Sequence, residues 1–254
     1  MSVFDLNALK KSFDEDGYVF IPGFLSPEEL NTLNGNLQQF ISEKLSSMSV
    51  NHYFYEDKND LSSLKQMQDL EKYDTWFQSL ATNSKFSELA EAMLGESADC
   101  KTVEYFNKPP KIGKPTPPHQ DGYYFMLQPQ QALTMWVALE EVTEETGCVK
   151  YVKGSHLKGM RPHGRTTTLG FSQSIIDFGT DEDRRLEVSF PAQPGDLLVH
   201  HSLTIHRAGG NTTANRTRKA LGLIYFGASA KEDMEAKERY RQQLAKEREK
   251  TIAE

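Results

Sequence analysis

The sequence predicts an α+β fold in which a helical N-terminal layer packs against a β-rich core, followed by a charged C-terminal helix. Two observations support this prediction. Over residues 1–100, apolar side chains recur mainly at helical spacing, whereas from residue 101 short apolar or alternating runs are separated by Gly, Pro and Asn. A chain of 254 residues can form one large domain or two small ones, and it can bury a core without disulfides or a structural metal.

The N-terminal part is predicted to begin with a short helix over Asp5–Asp16 and a short strand over Gly17–Pro22. A second helix begins at Ser26, because Ser26 is a good N-cap, Pro27 suits the first helical position and Glu29 closes a capping box. Apolar residues then recur at helical spacing in two runs: Leu30, Leu33, Leu37, Phe40, Ile41 and Leu45, and later Phe86, Leu89, Ala90, Met93 and Leu94.

The β-rich part is predicted to contain several short strands, which favours a β-sandwich or barrel. These strands are Lys101–Asn107, Tyr123–Leu127, Ala132–Leu139, Cys148–Val152, Leu186–Phe190, Asp196–His201 and Ala220–Phe226. The last segment, Lys231–Glu254, is heavily charged and predicts a solvated helix. With no internal repeat and no linker, we expect a single domain over 1–254: helical support in 1–100, the β core in 101–228 and a charged helical tail in 229–254.

Composition excludes several classes of protein. The net charge of −7, from 29 Lys+Arg against 36 Asp+Glu, argues against a nucleic-acid-binding protein, which needs a basic face. We expect no secretory signal, because no basic segment precedes an apolar run at the N-terminus, and no membrane span. Two cysteines, Cys100 and Cys148, are too few for a disulfide framework, so we expect a reducing, cytoplasmic location.

The first motif that suggests chemistry is His119-Gln-Asp121. On an extended segment, residues i and i+2 project to the same face, so an imidazole and a carboxylate can meet one metal ion. The preceding Pro115-Thr-Pro-Pro118 favours an extended backbone. Alone this pattern is weak, because a structural His–Asp hydrogen bond explains it as well.

The second motif is the run from Pro194 to His206, PGDLLVHHSLTIH. A tight turn feeds a strand that carries His200 and His201, and His206 follows before a glycine-rich bend. A ligand from this run would complete a set of two histidines and one carboxylate, which leaves positions on Fe(II) for a cosubstrate and dioxygen. His201 and His206 are the contenders, and spacing alone leaves the choice open.

A third motif, the run from Asn215 to Tyr225, opens with a cluster of cations at the start of a strand. Arg216, Arg218 and Lys219 lie about ten residues after His206. A guanidinium at this place can bind a carboxylate in a bidentate manner. Surface charges at a strand end are the alternative interpretation.

Taken together, these segments resemble the phytanoyl-CoA dioxygenase family of Fe(II)/2-oxoglutarate oxygenases. The resemblance runs from Gly17 to Tyr225. The motifs that carry it, in order, are DEDGYVFIPGFLSPEEL, FNKPP, PHQDGYYF, WVALEEVTEETGCVKYVKGSH, GMRPH, PGDLLVHHSLTIHRAGGN and RTRKALGLIY. The resemblance implies that the β-rich part is a double-stranded β-helix, the jelly-roll or cupin-like core.

The resemblance also implies roles for individual residues. The family's distal iron histidine corresponds to His206, which makes His119, Asp121 and His206 the Fe(II) ligands and His201 a neighbouring strand residue. The family's 2-oxoglutarate-binding arginine lies about a dozen residues further on and corresponds to Arg218, with Arg216 as the alternative. Three further residues are implied beside the cosubstrate, namely Trp136, Thr134 and His163.

Two comparisons with the family pattern concern the reaction. Many members have Gly-Ser after the distal histidine, where the serine helps to hold 2-oxoglutarate, but this chain has Arg207-Ala208. Another donor must therefore replace that serine. Halogenating relatives replace the metal-binding carboxylate by a small residue, whereas Asp121 is present here, which favours hydroxylation.

The resemblance therefore implies a dioxygenase that uses Fe(II), 2-oxoglutarate and O2 to hydroxylate an unactivated C–H bond of a small molecule, releasing succinate and CO2. Desaturation or cyclisation by the same chemistry is the alternative, and a non-catalytic metal-binding protein is a further one. An anionic substrate is suggested by Lys108, Lys111, Lys114, Arg161 and Arg165, although solvated loop charges explain these cations better. We expect a monomer or a weak homodimer, with no nucleic-acid or membrane partner.

Overall fold

The structure, a computed structural model, describes residues 4–166, 173–240 and 242. The helices are α1 Leu6–Asp16, α2 Pro27–Glu43, α3 Leu70–Tyr73, α4 Thr75–Thr82, α5 Lys85–Leu94, α6 Gly122–Phe125 and α7 Asp181–Leu186. The strands are β1 Tyr18–Ile21, β2 Tyr53–Tyr55, β3 Leu64–Met67, β4 Ala98–Asn107, β5 Thr116–His119, β6 Leu127–Gln128, β7 Ala132–Ala138, β8 Val149–Val152, β9 His163–Arg165, β10 Gln173–Ile175, β11 Glu187–Phe190, β12 Leu197–His201, β13 His206–Ala208, β14 Lys219–Gly227 and β15 Lys231–Glu232.

Two antiparallel sheets form the core. The major sheet has seven strands in the order β1-β12-β7-β14-β4-β3-β2, and the minor sheet has four in the order β11-β8-β13-β5. Apolar residues of both sheets, among them Trp136 of β7 and Tyr151 of β8, form one buried cluster. The sheets therefore pack face to face, and the predicted α+β fold with a jelly-roll core is confirmed.

The N-terminal helices cover the outer face of the major sheet. Along β7, Leu133, Met135 and Val137 belong to the same core cluster as the apolar residues of α2, α4 and α5. Because side chains alternate along a strand, Thr134 and Trp136 point to the opposite face, toward the minor sheet. The major sheet thus separates the helical layer from an inner cavity between the two sheets.

The first two helices begin and end as their sequences indicate. The carboxylate of Asp5 accepts hydrogen bonds from the first-turn amides of α1, and Gly17, with φ of 84°, ends this helix. The predicted capping box at α2 is present, with Ser26 and Glu29 bonded reciprocally. Strand β1 follows α1, so the predicted strand at Gly17–Pro22 is also found.

The predicted strand over Tyr123–Leu127 is wrong. Residues Gly122–Phe125 form α6, and only the short β6 follows. The backbone turns at Asp121, which has helical dihedral angles (φ −58°, ψ −34°) and whose carbonyl accepts hydrogen bonds from the amides of Tyr124 and Phe125. The aromatic residues that suggested a strand are instead packed on one helical turn.

The N-terminal part also contains two strands that the helical interpretation missed, β2 and β3, which extend the major sheet beyond β4. In the C-terminal segment, a helix occupies residues 234–240, and residues 241 and 243–254 of the predicted tail lie outside the described residues. Within the described part of the chain, no helix combines the length and the apolar character that crossing a membrane requires.

Candidate active site

Strand pairing brings the two candidate histidine ligands together. In the minor sheet, His206 of β13 lies directly opposite His119 of β5. Their ring centroids are 4.1 Å apart. The two residues are distant in sequence, so their meeting depends on the register of this antiparallel pair.

Asp121 completes a three-residue cluster. Its Oδ1 lies 3.4 Å from Nε2 of His119 and 3.5 Å from Nε2 of His206. One ligand atom from each of the three residues lies within 4.8 Å of the other two. Both His119 and Asp121 face the cluster, as the His-x-Asp spacing indicated, although Asp121 lies at the start of α6 and not on a continuing strand.

The hydrogen bonds at Nδ1 of the two histidines direct both Nε2 atoms toward Asp121. Nδ1 of His119 donates to the carbonyl of Pro117 (2.8 Å), and Nδ1 of His206 donates to the carbonyl of Thr204 (3.0 Å). In the neutral form of each ring, this bond places the lone pair on Nε2, the atom that can bind a metal.

Burial, together with the neighbouring His119 and His200, lowers the pKa of His206 well below its usual value. Burial opposes ionisation of Asp121, but His206, His119 and His200 more than offset it and lower the pKa of this carboxyl. Nε2 of the two rings and a carboxylate oxygen thus converge on one point. A cation such as Fe(II) satisfies this donor set, and the residues fit it.

A third histidine, His200, lies in the same cluster. Its Nε2 is 3.0 Å from Oδ2 of Asp121, and its Nδ1 is 2.8 Å from the hydroxyl of Tyr151. Thr134 donates its hydroxyl to the same Oδ2 at 2.6 Å. His200 and Thr134 thus occupy one carboxylate oxygen of Asp121 and leave Oδ1 facing His119 and His206.

His201 and His206 were the two candidate ligands from the sequence, and the contact between His200 and Asp121 was not predicted. The signal was strand parity: His200 alternates with His201 along β12, so the two side chains lie on opposite faces of the major sheet. His201 is directed to the helical layer, where its ring contacts Phe13 and His156. His200 shares the inner face with Leu198, which belongs to the cluster between the sheets.

The cluster opens into a cavity of about 290 Å³ between the sheets. Arg218 lines this cavity, and only 5% of its surface is exposed. Among the described residues, its Nε has no hydrogen-bond partner and its guanidinium forms no ion pair, although it lies 5.4 Å from the ring of Trp136. Burial lowers the pKa of Arg218 to about 10, so the side chain stays charged at neutral pH. Such a buried, unpaired cation suits a carboxylate ligand.

Arg216, the alternative arginine, lies outside this cavity. Its side chain is 40% exposed and pairs with Glu141 and Glu145. The remaining residues that the resemblance placed beside the cosubstrate lie apart from one another. Trp136 lines the cavity, while His163 lies behind the metal motif: its Nε2 accepts from the amide of Gln120, and its Nδ1 donates to a backbone carbonyl.

Arg207 and Ala208, which lie where many family members have Gly-Ser, both contact residues of neighbouring strands. Arg207 forms a two-pronged ion pair with Glu187, both contacts being 2.6 Å. Ala208 faces the cavity and pairs across the sheet with Thr116, which also lines the cavity. Nζ of Lys108 donates to the hydroxyl oxygen of Thr116 at 3.2 Å, which leaves the hydroxyl proton available.

Of the cations that suggested an anionic substrate, two are already paired. Lys108 is buried and also donates to the carbonyl of Lys114. Arg161 binds Asp177 and Asp183.

The aromatic residues after the metal motif divide between two places. Tyr124 and Phe125 line the cavity. Tyr123 instead stacks on His163, with ring centroids 4.3 Å apart.

Solved structures share this fold over most of the chain. The epimerase SnoN from nogalamycin biosynthesis, solved with Fe3+, alpha-ketoglutarate and nogalamycin RO, is 27% identical with a TM-score of 0.69, covering 89% of this chain and 84% of that one. EctD from S. alaskensis, solved with 2-oxoglutarate and 5-hydroxyectoine, shares the fold at 18% identity, with a TM-score of 0.72 and coverage of 90% and 77%.

The jelly-roll and the His-Asp-His cluster define the class of non-haem iron(II), 2-oxoglutarate-dependent oxygenases, enzymes that use O2 as oxidant. Within that class, the phytanoyl-CoA dioxygenase (PhyH) profile matches residues 13–220, and the chain belongs to this family. Curated relatives include a phytanoyl-CoA dioxygenase domain-containing protein 1 of Danio rerio, 25% identical over 80% of this chain and 84% of that protein. The 1-deoxypentalenic acid 11-beta-hydroxylase of Streptomyces arenae is 28% identical over 83% of this chain and 77% of that protein.

Proposed function

We propose that this oxygenase hydroxylates an unactivated C–H bond of a small molecule while 2-oxoglutarate is converted to succinate and CO2. The observation that carries the proposal is the convergence of two groups on one cavity. The cluster of His119, Asp121 and His206 supplies the donor set of two histidines and one carboxylate, and Arg218 supplies a buried cation that forms no ion pair with the described residues.

In this proposal Nε2 of His119, Nε2 of His206 and Oδ1 of Asp121 hold Fe(II). Arg218 pairs with the far carboxylate of 2-oxoglutarate. Bound Fe(II), together with 2-oxoglutarate and O2, supplies the oxidising power that cleaves the substrate C–H bond. The protein contributes geometry: the β5–β13 register sets the separation of the histidines, and the buried site excludes bulk water.

Further residues position these groups. Thr134 and His200 donate to Oδ2 of Asp121 and hold its carboxylate in one orientation. Trp136 packs beside Arg218 and forms part of the cosubstrate wall. His163 acts behind the site by holding the segment through Gln120.

Thr116 replaces the serine that many relatives have after the distal histidine. It lies opposite Ala208 in the sheet, lines the same cavity as Arg218 and has a hydroxyl proton to donate. A hydroxyl at this place compensates for the loss of the serine, because the two β-strand positions are direct neighbours.

The substrate occupies the part of the cavity beside Tyr124 and Phe125. The carboxylate of Asp121 fills the third ligand position, which disfavours halogenation. Desaturation or cyclisation requires the same metal and cosubstrate, so product analysis distinguishes these outcomes from hydroxylation. For the protein as a whole we propose a single domain, monomeric or weakly dimeric, in the cytoplasm, which suits its free Cys100 and Cys148.

The test is conversion of 2-oxoglutarate by the purified chain. With Fe(II), 2-oxoglutarate and O2, we expect succinate to form slowly without substrate and faster when a metabolite mixture contains the substrate. The same protein treated with a chelator should form none. A chain that binds neither iron nor 2-oxoglutarate would contradict the proposal and favour a non-catalytic role on this fold.

A further inference from the structure

The inner face of the major sheet carries a carboxylate that the roles above do not use. Glu104 of β4 lies between Val103 and Tyr105, whose side chains belong to the core under the helical layer. Because side chains alternate along a strand, Glu104 points the other way, into the cavity that holds the metal cluster. Only 9% of its surface is exposed, so water contributes little to its solvation.

Glu104 has few partners for a buried acid. Its Oε2 accepts one hydrogen bond, from Nε2 of Gln66 at 3.0 Å. No Lys, Arg or His of the described residues forms an ion pair with it, and no other described hydrogen bond reaches its carboxylate. Buried carboxylates are normally paired or held by several donors, because burial removes the water that would otherwise solvate them. A purely structural role therefore leaves this side chain unexplained.

The charge of Arg218 does not supply the missing partner. Arg218 exchanges backbone hydrogen bonds with Lys108, which follows β4 and is four residues from Glu104. At roughly 3.3 Å per residue, the two backbone positions are about 13 Å apart. The ring of Phe106, which also lines the cavity, packs over Gly222, the partner of Glu104 on β14; a Cβ at Gly222 would come within 2.7 Å of it. The cavity thus has a cationic end at Arg218 and an acidic end at Glu104.

From this arrangement we infer that Glu104, oriented by Gln66, binds a hydroxyl or amino group of the substrate. The inference rests on the proposed function, because it assigns the acidic end of the same cavity to the substrate. A donor from the substrate would complete the hydrogen bonds of the carboxylate. An anionic group would face like charge at this end, from Glu104. The substrate class is therefore a small alcohol or amine.

The experiment uses three probes that share one frame and differ in one group: benzylamine, benzyl alcohol and benzoate. The full chain, loaded with Fe(II) and saturating 2-oxoglutarate without oxygen, is titrated with each probe above pH 7, the raised pKa of Glu104, so that its carboxylate is ionised. Dissociation constants are obtained by ligand-observed NMR. We expect benzylamine and benzyl alcohol to bind at least ten times more tightly than benzoate.

Two variants test whether Glu104 and Gln66 cause this preference for benzylamine. Glu104→Gln keeps the size of the side chain and should weaken benzylamine binding at least tenfold. Gln66→Met should weaken it several-fold, because the carboxylate loses its orienting bond. Glu88→Gln, the same exchange on the exposed face of α5, should leave binding unchanged.

Calorimetry of 2-oxoglutarate binding separates this inference from the proposed function. If wild type and Glu104→Gln bind 2-oxoglutarate equally and bind benzylamine equally, the assignment of Glu104 is overturned while the oxygenase proposal stands. Benzoate binding as tightly as benzylamine would also overturn it. If wild type does not bind 2-oxoglutarate, the proposed function itself is contradicted.

Discussion

Nε2 of His200 lies 3.0 Å from Oδ2 of Asp121, although the two residues are far apart in the chain. The hydroxyl of Tyr151, 2.8 Å from Nδ1, donates to the other side of the same ring and fixes Nε2 as the donor. This chain of hydrogen bonds holds the carboxylate so that Oδ1 faces His119 and His206. Partners of this kind, which orient a ligand without touching the metal, are commonly worth 10–100-fold in metal affinity.

His200→Ala should therefore weaken Fe(II) binding by about 10–100-fold, because Asp121 loses one of the two donors that hold it. Tyr151→Phe should have a smaller effect in the same direction, since the imidazole stays in place. Competition against a chromogenic chelator measures both affinities without any turnover. Wild-type affinity in His200→Ala would show that the hydrogen bond does not position the ligand.

His206→Ala should abolish stoichiometric Fe(II) binding and succinate formation, because the donor set loses one of its two imidazoles. His201→Ala is the matched control from the preceding strand β12, and it should retain iron binding, since its ring faces the helical layer. Iron titration of both variants gives the comparison. Loss of iron in His201→Ala alone would mean that the ligand assignment is wrong.

The parts predicted from the sequence were those whose signal is local. Strands such as β7 and β14 are short, mostly apolar runs, and the capping box at Ser26 is complete within four residues. The predicted secondary structure was wrong where a local signal competed with tertiary contacts. Aromatic residues at Tyr123–Leu127 favour a strand, but the helical turn at Asp121 decides their backbone.

The candidate site residues show the same difference between local signals, which the sequence contains, and tertiary contacts, which it does not show. The order of the motifs identified His119, Asp121 and His206, which strand register then brings within reach of one another. The role of His200 depends on which face of β12 it occupies, and that of Thr116 depends on its being opposite Ala208. Contacts across strands of this kind leave no spacing pattern in a single sequence.

Burial raises the pKa of Glu104 from its ordinary value of 4.5 to about 7, and the charge of Asp121 makes a smaller contribution. The folded chain therefore binds an extra proton between these two pH values, and the free energy of unfolding falls as pH rises through them. Glu104→Gln, which mimics the protonated acid, should lose this contribution.

Relative to wild type, the free energy of unfolding of Glu104→Gln should increase by up to about 3 kcal/mol between pH 4.5 and pH 7. Urea denaturation at several pH values, with a chelator present to keep metal from contributing, measures the difference. Parallel pH profiles for the two proteins would contradict a raised pKa at Glu104.

Thr116→Val should raise the dissociation constant of 2-oxoglutarate about tenfold, because a hydrogen bond to a charged group is lost at the cost of about 1.5 kcal/mol or more. Thr82→Val, the same exchange at an exposed position of α4, serves as control. Calorimetry of the Fe(II)-loaded proteins without oxygen measures both. Unchanged affinity in Thr116→Val would mean that another group replaces the family's serine.

Calorimetric titration of 2-oxoglutarate into the Fe(II)-loaded chain without oxygen tests the proposed function most directly, because this function requires the metal cluster and Arg218 to bind the same molecule. Wild type should bind one 2-oxoglutarate per chain. Arg218→Ala should weaken this binding about 100-fold or more, since two charge-assisted hydrogen bonds are lost, and metal-free protein should also bind weakly. Arg216→Ala should match wild type. Equal affinity in wild type and Arg218→Ala, or binding that does not depend on the metal, would contradict the account.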